Sequence, residues 1–441
     1  MKRLLPLLLC AVLALFCATT AQAAGVSITL TASEYALHYA FDAGTQDPFV
    51  ILEYATPAEK GWMMLYSADG HFEGDVSLAY SGAGGKTSVT LTSARTTGSI
   101  GKTSTTLPKA ADYQKPTGKS NAKVTDFVLT ETPEGFHYAF NAAGTDYMLL
   151  YWRSKEQTVT QPVYPDENGH YEGDVVSELT FARTQFTVQV KSGSGSMKKE
   201  ATVRKGYQAP EAPQRQEGRL SGVTVCIDAG HQENGRFVNE PIGPGLTGST
   251  SGKGGMAQGT KTNRRESIVC LEIGMLLRDE LLRQGANIIM TREDQTTFHT
   301  NIERCEIAEA GGAQIMLRLH CNNSSNRSKR GIQVYGPLNS DYAKAVADAD
   351  TYREMGQKLL DAMKTRVGMT LANSTGMVRL NDNYVGNNWA KMMCFLVEMG
   401  YLSNPAEEYL LVTPVYQQWL AEGMADGVYE IAVARGWVQA Q

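Results

Sequence analysis

Three side chains in the second half of the chain are of the types that a hydrolytic metal centre uses. His231, His320 and Glu398 each follow a short apolar run. Val223–Ile227 leads into Asp228-Ala229-Gly230-His231, Ile315–Leu319 ends in His320, and Met393–Val397 ends at Glu398. Two imidazoles and a carboxylate are the ligand set of a catalytic zinc that keeps one position open for water. A lone histidine at a strand end is more often structural, but two of them with carboxylates nearby favour a functional centre. No His-Glu-x-x-His occurs, so this is not a zincin-type helix site. No Gly-x-Ser-x-Gly occurs, so a serine-hydrolase elbow is not supported. A second His/Glu pattern lies in the first half, as His71-Phe72-Glu73 and His170-Tyr171-Glu172. Such a triplet puts two donors on one face of a strand. With no third ligand apparent, the sequence reads them as exposed polar residues alternating around a packed aromatic.

Residues so far apart in sequence need a sheet to gather them. The apolar runs before His231, His320 and Glu398, with Ala286–Met290, read as buried strands. Between them, Cys270, Ile273, Leu277 and Leu281 recur at helical spacing after Asn263, and Gly285 ends that helix. Further helices are expected around Ile302–Ala310 and Ala343–Thr365. Alternating strands and helices predict an α/β domain over 220–437, an α/β/α sandwich with helices on both faces of the sheet. Functional groups in such sheets collect at the carboxyl ends of the strands.

The stretch from about 221 to 436 resembles the zinc-dependent N-acetylmuramoyl-L-alanine amidases, with four motifs in order. Ile227-Asp228-Ala229-Gly230-His231 is similar to the opening motif, Glu266 to the second position, and Leu319-His320-Cys321-Asn322 to the third. Leu396-Val397-Glu398-Met399-Gly400-Tyr401-Leu402-Ser403-Asn404-Pro405 is similar to the closing one. The resemblance implies that His231, Glu266 and His320 bind Zn2+ and that Glu398 is the catalytic acid–base. It implies a peptidoglycan hydrolase that cuts between N-acetylmuramic acid and the L-alanine of the stem peptide. A zinc peptidase acting within the stem peptide, or an inert wall-binding or adhesion protein, are the alternatives.

Three departures bear on substrate detail. Gln232 follows the first histidine, Cys321 follows the third ligand, and 232–265 is a long Gly-rich loop. Asn263-x-x-Glu266 also has the spacing of a capping box, in which Glu266 would serve the helix start. Glu233 and Glu240 are rival carboxylates in the loop. His299 follows Thr296-Thr297-Phe298 in an expected loop and is read as non-catalytic.

The N-terminal half contains a repeat. Leu37-His38-Tyr39-Ala40-Phe41-Asp42-Ala43 returns as Phe136-His137-Tyr138-Ala139-Phe140-Asn141-Ala142. Gly70-His71-Phe72-Glu73-Gly74-Asp75-Val76 returns as Gly169-His170-Tyr171-Glu172-Gly173-Asp174-Val175, at the same offset of 99 residues. Polar–apolar alternation predicts two all-β, sandwich-like domains over 26–106 and 124–206, with 207–219 as a linker. Asp69-Gly70 and Asn168-Gly169 are expected to close two-residue hairpins. Tyr66 and Trp152 would stack on the sugars of a wall polymer if exposed, and are core otherwise.

Lys2-Arg3, the apolar run Leu4–Cys17 and Ala21-Gln22-Ala23 have the pattern of a secretory signal peptide over 1–23. Neither Cys10 nor Cys17 follows a small residue, so no lipid anchor is expected. Removing Lys2 and Arg3 takes the formal charge from −5 to −7. With no basic block, nucleic acid is an unexpected partner. Of seven cysteines, the five outside the leader all lie in the second half and read as buried thiols rather than a disulfide framework. The expected protein is secreted, has no membrane span and is associated with the cell wall.

Overall fold

The computed structural model of the chain describes residues 19–22, 26–44, 48–78, 80–94, 98–111, 113, 122–132, 135–145, 147–154, 158–176, 184–192, 196–205, 210–232, 238–250, 255–262, 264–368 and 378–440. The first half is all β. Its first copy comprises β1 (Thr19–Gln22), β2 (Ser27–Ser33), β3 (Ala36–Asp42), β4 (Phe49–Ala55), β5 (Glu59–Tyr66), β6 (His71–Ser77), β7 (Gly85–Ser93) and β8 (Ser99–Leu107). The second comprises β9 (Val124–Thr132), β10 (Gly135–Ala142), β11 (Met148–Arg153), β12 (Thr158–Val163), β13 (His170–Val176), β14 (Thr184–Lys191) and β15 (Met197–Lys205). β1 falls inside the stretch read as the leader.

Each copy has a small sheet of its own, β1-β2-β3-β6 or β13-β10-β9. The remaining strands of both copies form one eight-stranded sheet, β15-β14-β11-β12-β5-β4-β7-β8. The seam is short: Thr158 and Val159 of β12 pair with Lys60 and Glu59 of β5. The inward face of each small sheet packs on the large one. Leu30, Phe41 and Phe72 meet Val50, Leu52 and Leu91 in the first copy. Phe136, Phe140 and Tyr171 meet Leu150, Trp152 and Phe186 in the second. The Asp69-Gly70 and Asn168-Gly169 turns close no hairpin. β5 pairs with β4 and β12 while β6 pairs with β3, so the first turn carries the chain from one sheet to the other. In each turn the glycine alone takes a positive φ, 83° at Gly70 and 78° at Gly169. The Asp69 carboxylate accepts from Ser67 Oγ and His71 N, which holds the turn.

The second half comprises β16 (Thr224–Ala229), α1 (Glu266–Arg283), β17 (Asn287–Met290), α2 (Asn301–Ala310), β18 (Ile315–Asn322), β19 (Gln333–Gly336), α3 (Asp341–Val346), α4 (Ala349–Val367), β20 (Val378–Leu380), α5 (Val385–Trp389), β21 (Met393–Tyr401), α6 (Glu407–Leu410) and α7 (Pro414–Ala434). Six strands form one sheet in the order β17-β16-β18-β21-β19-β20. The first four are parallel, and β19 runs antiparallel to β21. Strand alternation builds two cores. Val225, Ile227, Leu317, Leu319, Phe395 and Val397 face the helices α1, α4 and α7. Cys226, Met316 and Cys394 face Cys305 and Ala308 of α2 on the other side. The helix expected over 343–365 is two helices, because Ala347 is extended and the Asp348 side chain caps a new start by accepting from Thr351 N. Among the described residues no helix is long and apolar enough to cross a membrane.

The described part of the expected linker is not loose. Leu282 O accepts from Gln216 N, Gly285 O from Arg215 Nη1, and Arg278 donates to Pro210 O, all at the end of α1. The first β copy also docks on the α/β half. Phe49 of β4 meets Tyr416 and Trp419 of α7, and Trp62 of β5 meets Tyr409 of α6. Tyr66, partly exposed, lies edge-on to Trp419. Trp152 is fully buried, so it belongs to the core and cannot stack on a sugar.

Candidate metal centre

β16, β18 and β21 are parallel neighbours, so their carboxyl ends share one edge. In that register Asp228 pairs with Arg318 and His320 pairs with Glu398. His231 stands two residues beyond β16. Its φ of 57° puts a non-glycine residue in the left-handed region, which costs about 1–3 kcal/mol and persists only where the surroundings hold it. Two buried guanidinium groups do so. Arg292 donates to Ala229 O and Gly230 O, and Arg304 donates to Ala229 O and His231 O. Asp228 is buried and accepts from Arg304, from Arg318 Nε at 2.9 Å and from Thr291 Oγ1 at 2.8 Å. Burial alone would raise its pKa; the two arginines outweigh burial and hold the carboxyl well below the usual range.

Glu266 is the first residue of α1 and points to the histidines rather than back along the helix. Its Oε1 lies 3.1 Å from His231 Nε2 and 3.0 Å from His320 Nδ1. Cys321 N donates to the same oxygen and Ala257 N to the other. The helix cap is Arg265, which makes no side-chain cap bond. The capping-box reading therefore gives way. Its partner Asn263 lies outside the described residues. The ligand atoms of His231, Glu266 and His320 all lie within 4.8 Å of one another, the one such trio among the described residues. Donors around a tetrahedral zinc stand about 3.3 Å apart, given bonds of about 2.0–2.1 Å, so both spacings to Glu266 Oε1 suit that ion. The donor chemistry fits as well. Burial favours the neutral, metal-binding form of His320 by lowering its pKa. Burial acts against the charge of Glu266, yet hydrogen bonds from His231 and His320 hold its carboxyl well below its ordinary range.

Glu398 faces this centre from β21. Its Oε2 is buried and has no hydrogen-bond partner among the described residues. Burial and the neighbouring Glu266 charge push its pKa up to about 8. The remaining candidates lie elsewhere. Glu240 accepts from the backbone N–H groups of Asn301 and Ile302, so it serves the positive start of α2. His299 contributes its backbone carbonyl to Arg304 Nε, and Glu233 lies outside the described residues. The five cysteines among the described residues are buried free thiols, with Cys321 packed in the core beside Cys270. Parts of the Gly-rich loop are pinned to the α/β half. Trp389 Nε1 donates to Pro241 O, and Glu408 accepts from Lys261 N and Thr262 N.

Residues 225–430 match the sequence profile of the family described as N-acetylmuramoyl-L-alanine amidase. Over 231 residues the chain is 26% identical to the germination-specific N-acetylmuramoyl-L-alanine amidase of Bacillus subtilis, covering 49% of this chain and 83% of that one. It is 26% identical over 218 residues to the probable cell wall amidase LytH of Staphylococcus aureus, covering 48% of this chain and 60% of that one. Residues 225–430 are an N-acetylmuramoyl-L-alanine amidase domain. Among solved structures, the chain is similar to the N-acetylmuramoyl-L-alanine amidase from Clostridium difficile, with 22% identity, a TM-score of 0.38, and coverage of 48% of this chain and 96% of that one. For the amidase Ami1 from Mycobacterium abscessus the values are 18%, 0.43, 48% and 99%.

What the sequence reading lacks in the amidase domain is the arginine set behind the zinc-type trio. Arg318 carries the clearest signal, a charge inside the apolar run Ile315–Leu319. A buried charge demands a partner, and Asp228, on the adjacent strand, supplies it.

Proposed function

We propose that the chain is a secreted peptidoglycan hydrolase that cleaves the amide between the lactyl group of N-acetylmuramic acid and L-alanine. His231, Glu266 and His320 would hold the zinc, and Glu398 would be the acid–base. The observation that carries this reading is the convergence of both imidazoles on one oxygen of Glu266, with an unpartnered carboxylate oxygen of Glu398 facing the same place. Zinc, when bound, lowers the pKa of water to roughly 7 and polarises the scissile carbonyl. Glu398 takes the proton of the attacking water at Oε2 and delivers it to the leaving amine. Its raised proton affinity suits the second half of that transfer. Arg292 and Arg304 keep the carbonyls of 229–231 turned away, which leaves the His231 ring directed at the centre. The leader-like residues 1–23 and the substrate's location support an extracellular, wall-associated setting. For the β copies, attachment to wall polymer would have to use surfaces other than Trp152.

The test is mass spectrometry of products from purified cell wall. Free stem peptides beginning with L-alanine support the amidase. Shortened peptides still joined to sugar indicate a peptidase, and no products an inert binding module. Glu398→Gln should keep its zinc and lose at least about 10²-fold in rate, whereas Glu266→Gln should lose zinc. The reverse pattern would exchange the two roles.

A further inference from the structure

The two β copies hold four histidines on their exposed faces, and the structure supplies what His-x-Glu alone lacks. On β3 and β6 the residues facing solvent form a ladder: His38 opposite Asp75, Ala40 opposite Glu73, Asp42 opposite His71. The small Ala40 leaves Glu73 flanked by both rings. His38 Nε2 lies 3.3 Å from Glu73 Oε1, and His71 Nε2 lies 3.5 Å from Glu73 Oε2. The other ring nitrogens are engaged: His38 Nδ1 with Asp75 at 3.0 Å, His71 Nδ1 with Asp42 at 2.8 Å. The second copy repeats the ladder on β10 and β13, with His137 opposite Asp174, Ala139 opposite Glu172, and Asn141 opposite His170. There the rings stand 3.2 and 3.8 Å from Glu172, and their Nδ1 atoms face Asp174 and the Asn141 carbonyl oxygen.

A carboxylate or an amide oxygen only accepts, so each Nδ1 is the donor. Each Nε2 then carries either a second proton, which makes the ring an imidazolium paired with the carboxylate, or a lone pair that faces the carboxylate and calls for a cation between them. Imidazoles fixed through Nδ1–H by a carboxylate, with Nε2 free, are the usual arrangement of metal-binding histidines. The nitrogen–oxygen spacings in the first copy suit two donors sharing one tetrahedral ion. We propose that each β copy carries a surface site for a divalent transition cation of the zinc class, formed by His38, His71 and Glu73 in the first and by His137, His170 and Glu172 in the second. The rings flank opposite oxygens of the carboxylate, more widely than in the amidase trio, so these exposed side chains close inward on binding. The first site is the stronger. It has three surrounding carboxylates, Asp42, Glu73 and Asp75, where the second has two, Asn141 standing in place of Asp42.

The experiment is zinc equilibrium dialysis of the chelator-stripped full chain, comparing it with Glu73→Gln, Glu172→Gln and the double variant. Each single variant should bind one zinc fewer than the parent and the double variant two fewer, with rate on wall substrate unchanged. His71→Gln and His170→Gln should reproduce the losses, and thermal unfolding checks that the folds remain. The readout is a difference, so it holds whether or not the amidase trio takes zinc. The same zinc count in the parent and in the folded double variant would overturn the inference, whether from ordinary ion pairs or from scattered surface binding.

Discussion

Gly230→Ala tests how tightly the fold confines the candidate zinc trio. A Cβ at position 230 would stand 2.6 Å from His320 Cε1 and 2.7 Å from His320 Nε2, and against Leu319 O as well. Carbon atoms in ordinary contact are about 3.5 Å apart, so the ring must retreat by about 0.9 Å or β16 must separate from β18. The second route is closed by the pairing of Ala229 with Leu319 and by the arginines holding 229–231. Zinc–ligand bonds tolerate about ±0.2 Å, several times less than the displacement imposed. Overpacking of this kind costs about 1–3 kcal/mol of fold stability, while a 1 Å misplacement at a reacting centre costs about 10²-fold in rate. The assay is zinc retention against a competing chelator together with turnover on soluble muropeptides. Gly255→Ala is the control, since a Cβ there meets nothing within 4 Å. Wild-type zinc affinity and turnover in Gly230→Ala would show that His320 is not confined as described and would refute the reasoning.

Asp228→Asn should cost about 3–5 kcal/mol, because Arg304 and Arg318 keep their buried charges without the counter-charge; denaturant unfolding at neutral pH measures it, and a loss under 1 kcal/mol would contradict the network. The same carboxyl is held below its unfolded value of about 3.9. Its stabilisation is therefore fully present above about pH 4 and declines as pH falls below that, a slope that acid unfolding should show in wild type and lose in Asp228→Asn. A fragment beginning near Leu220 should unfold at lower temperature than the full chain. Tyr409, Tyr416 and Trp419 lose their partners Trp62, Phe49 and Tyr66, and each aromatic pair contributes about 0.5–1.5 kcal/mol beyond burial; equal melting temperatures would mean that the docking adds nothing.

The parts legible in the sequence are those set by local pattern. Alternation and helical spacing mark most strands and helices of the amidase domain, and the 99-residue offset marks the duplication. His231, His320 and Glu398 are readable because each follows an apolar run long enough to be a strand, and a parallel sheet then brings those ends to one edge. The short strands β19 and β20 carry too few residues for a period to show. What a polar side chain faces is decided across the fold. Glu266 has the spacing of a helix cap, and only the approach of β18 and the loop after β16 turns it toward two histidines. His38 and His137 mark the repeat as sequence, yet pairing across β3–β6 and β10–β13 is what sets them beside Glu73 and Glu172. The seam of Thr158 and Val159 with Lys60 and Glu59 fuses two expected separate domains into one sheet. Periodicity reports how a segment meets water and core. It does not report which distant segment lies opposite, and the partner lying opposite determines whether a carboxylate caps a helix, neutralises an arginine or faces a metal.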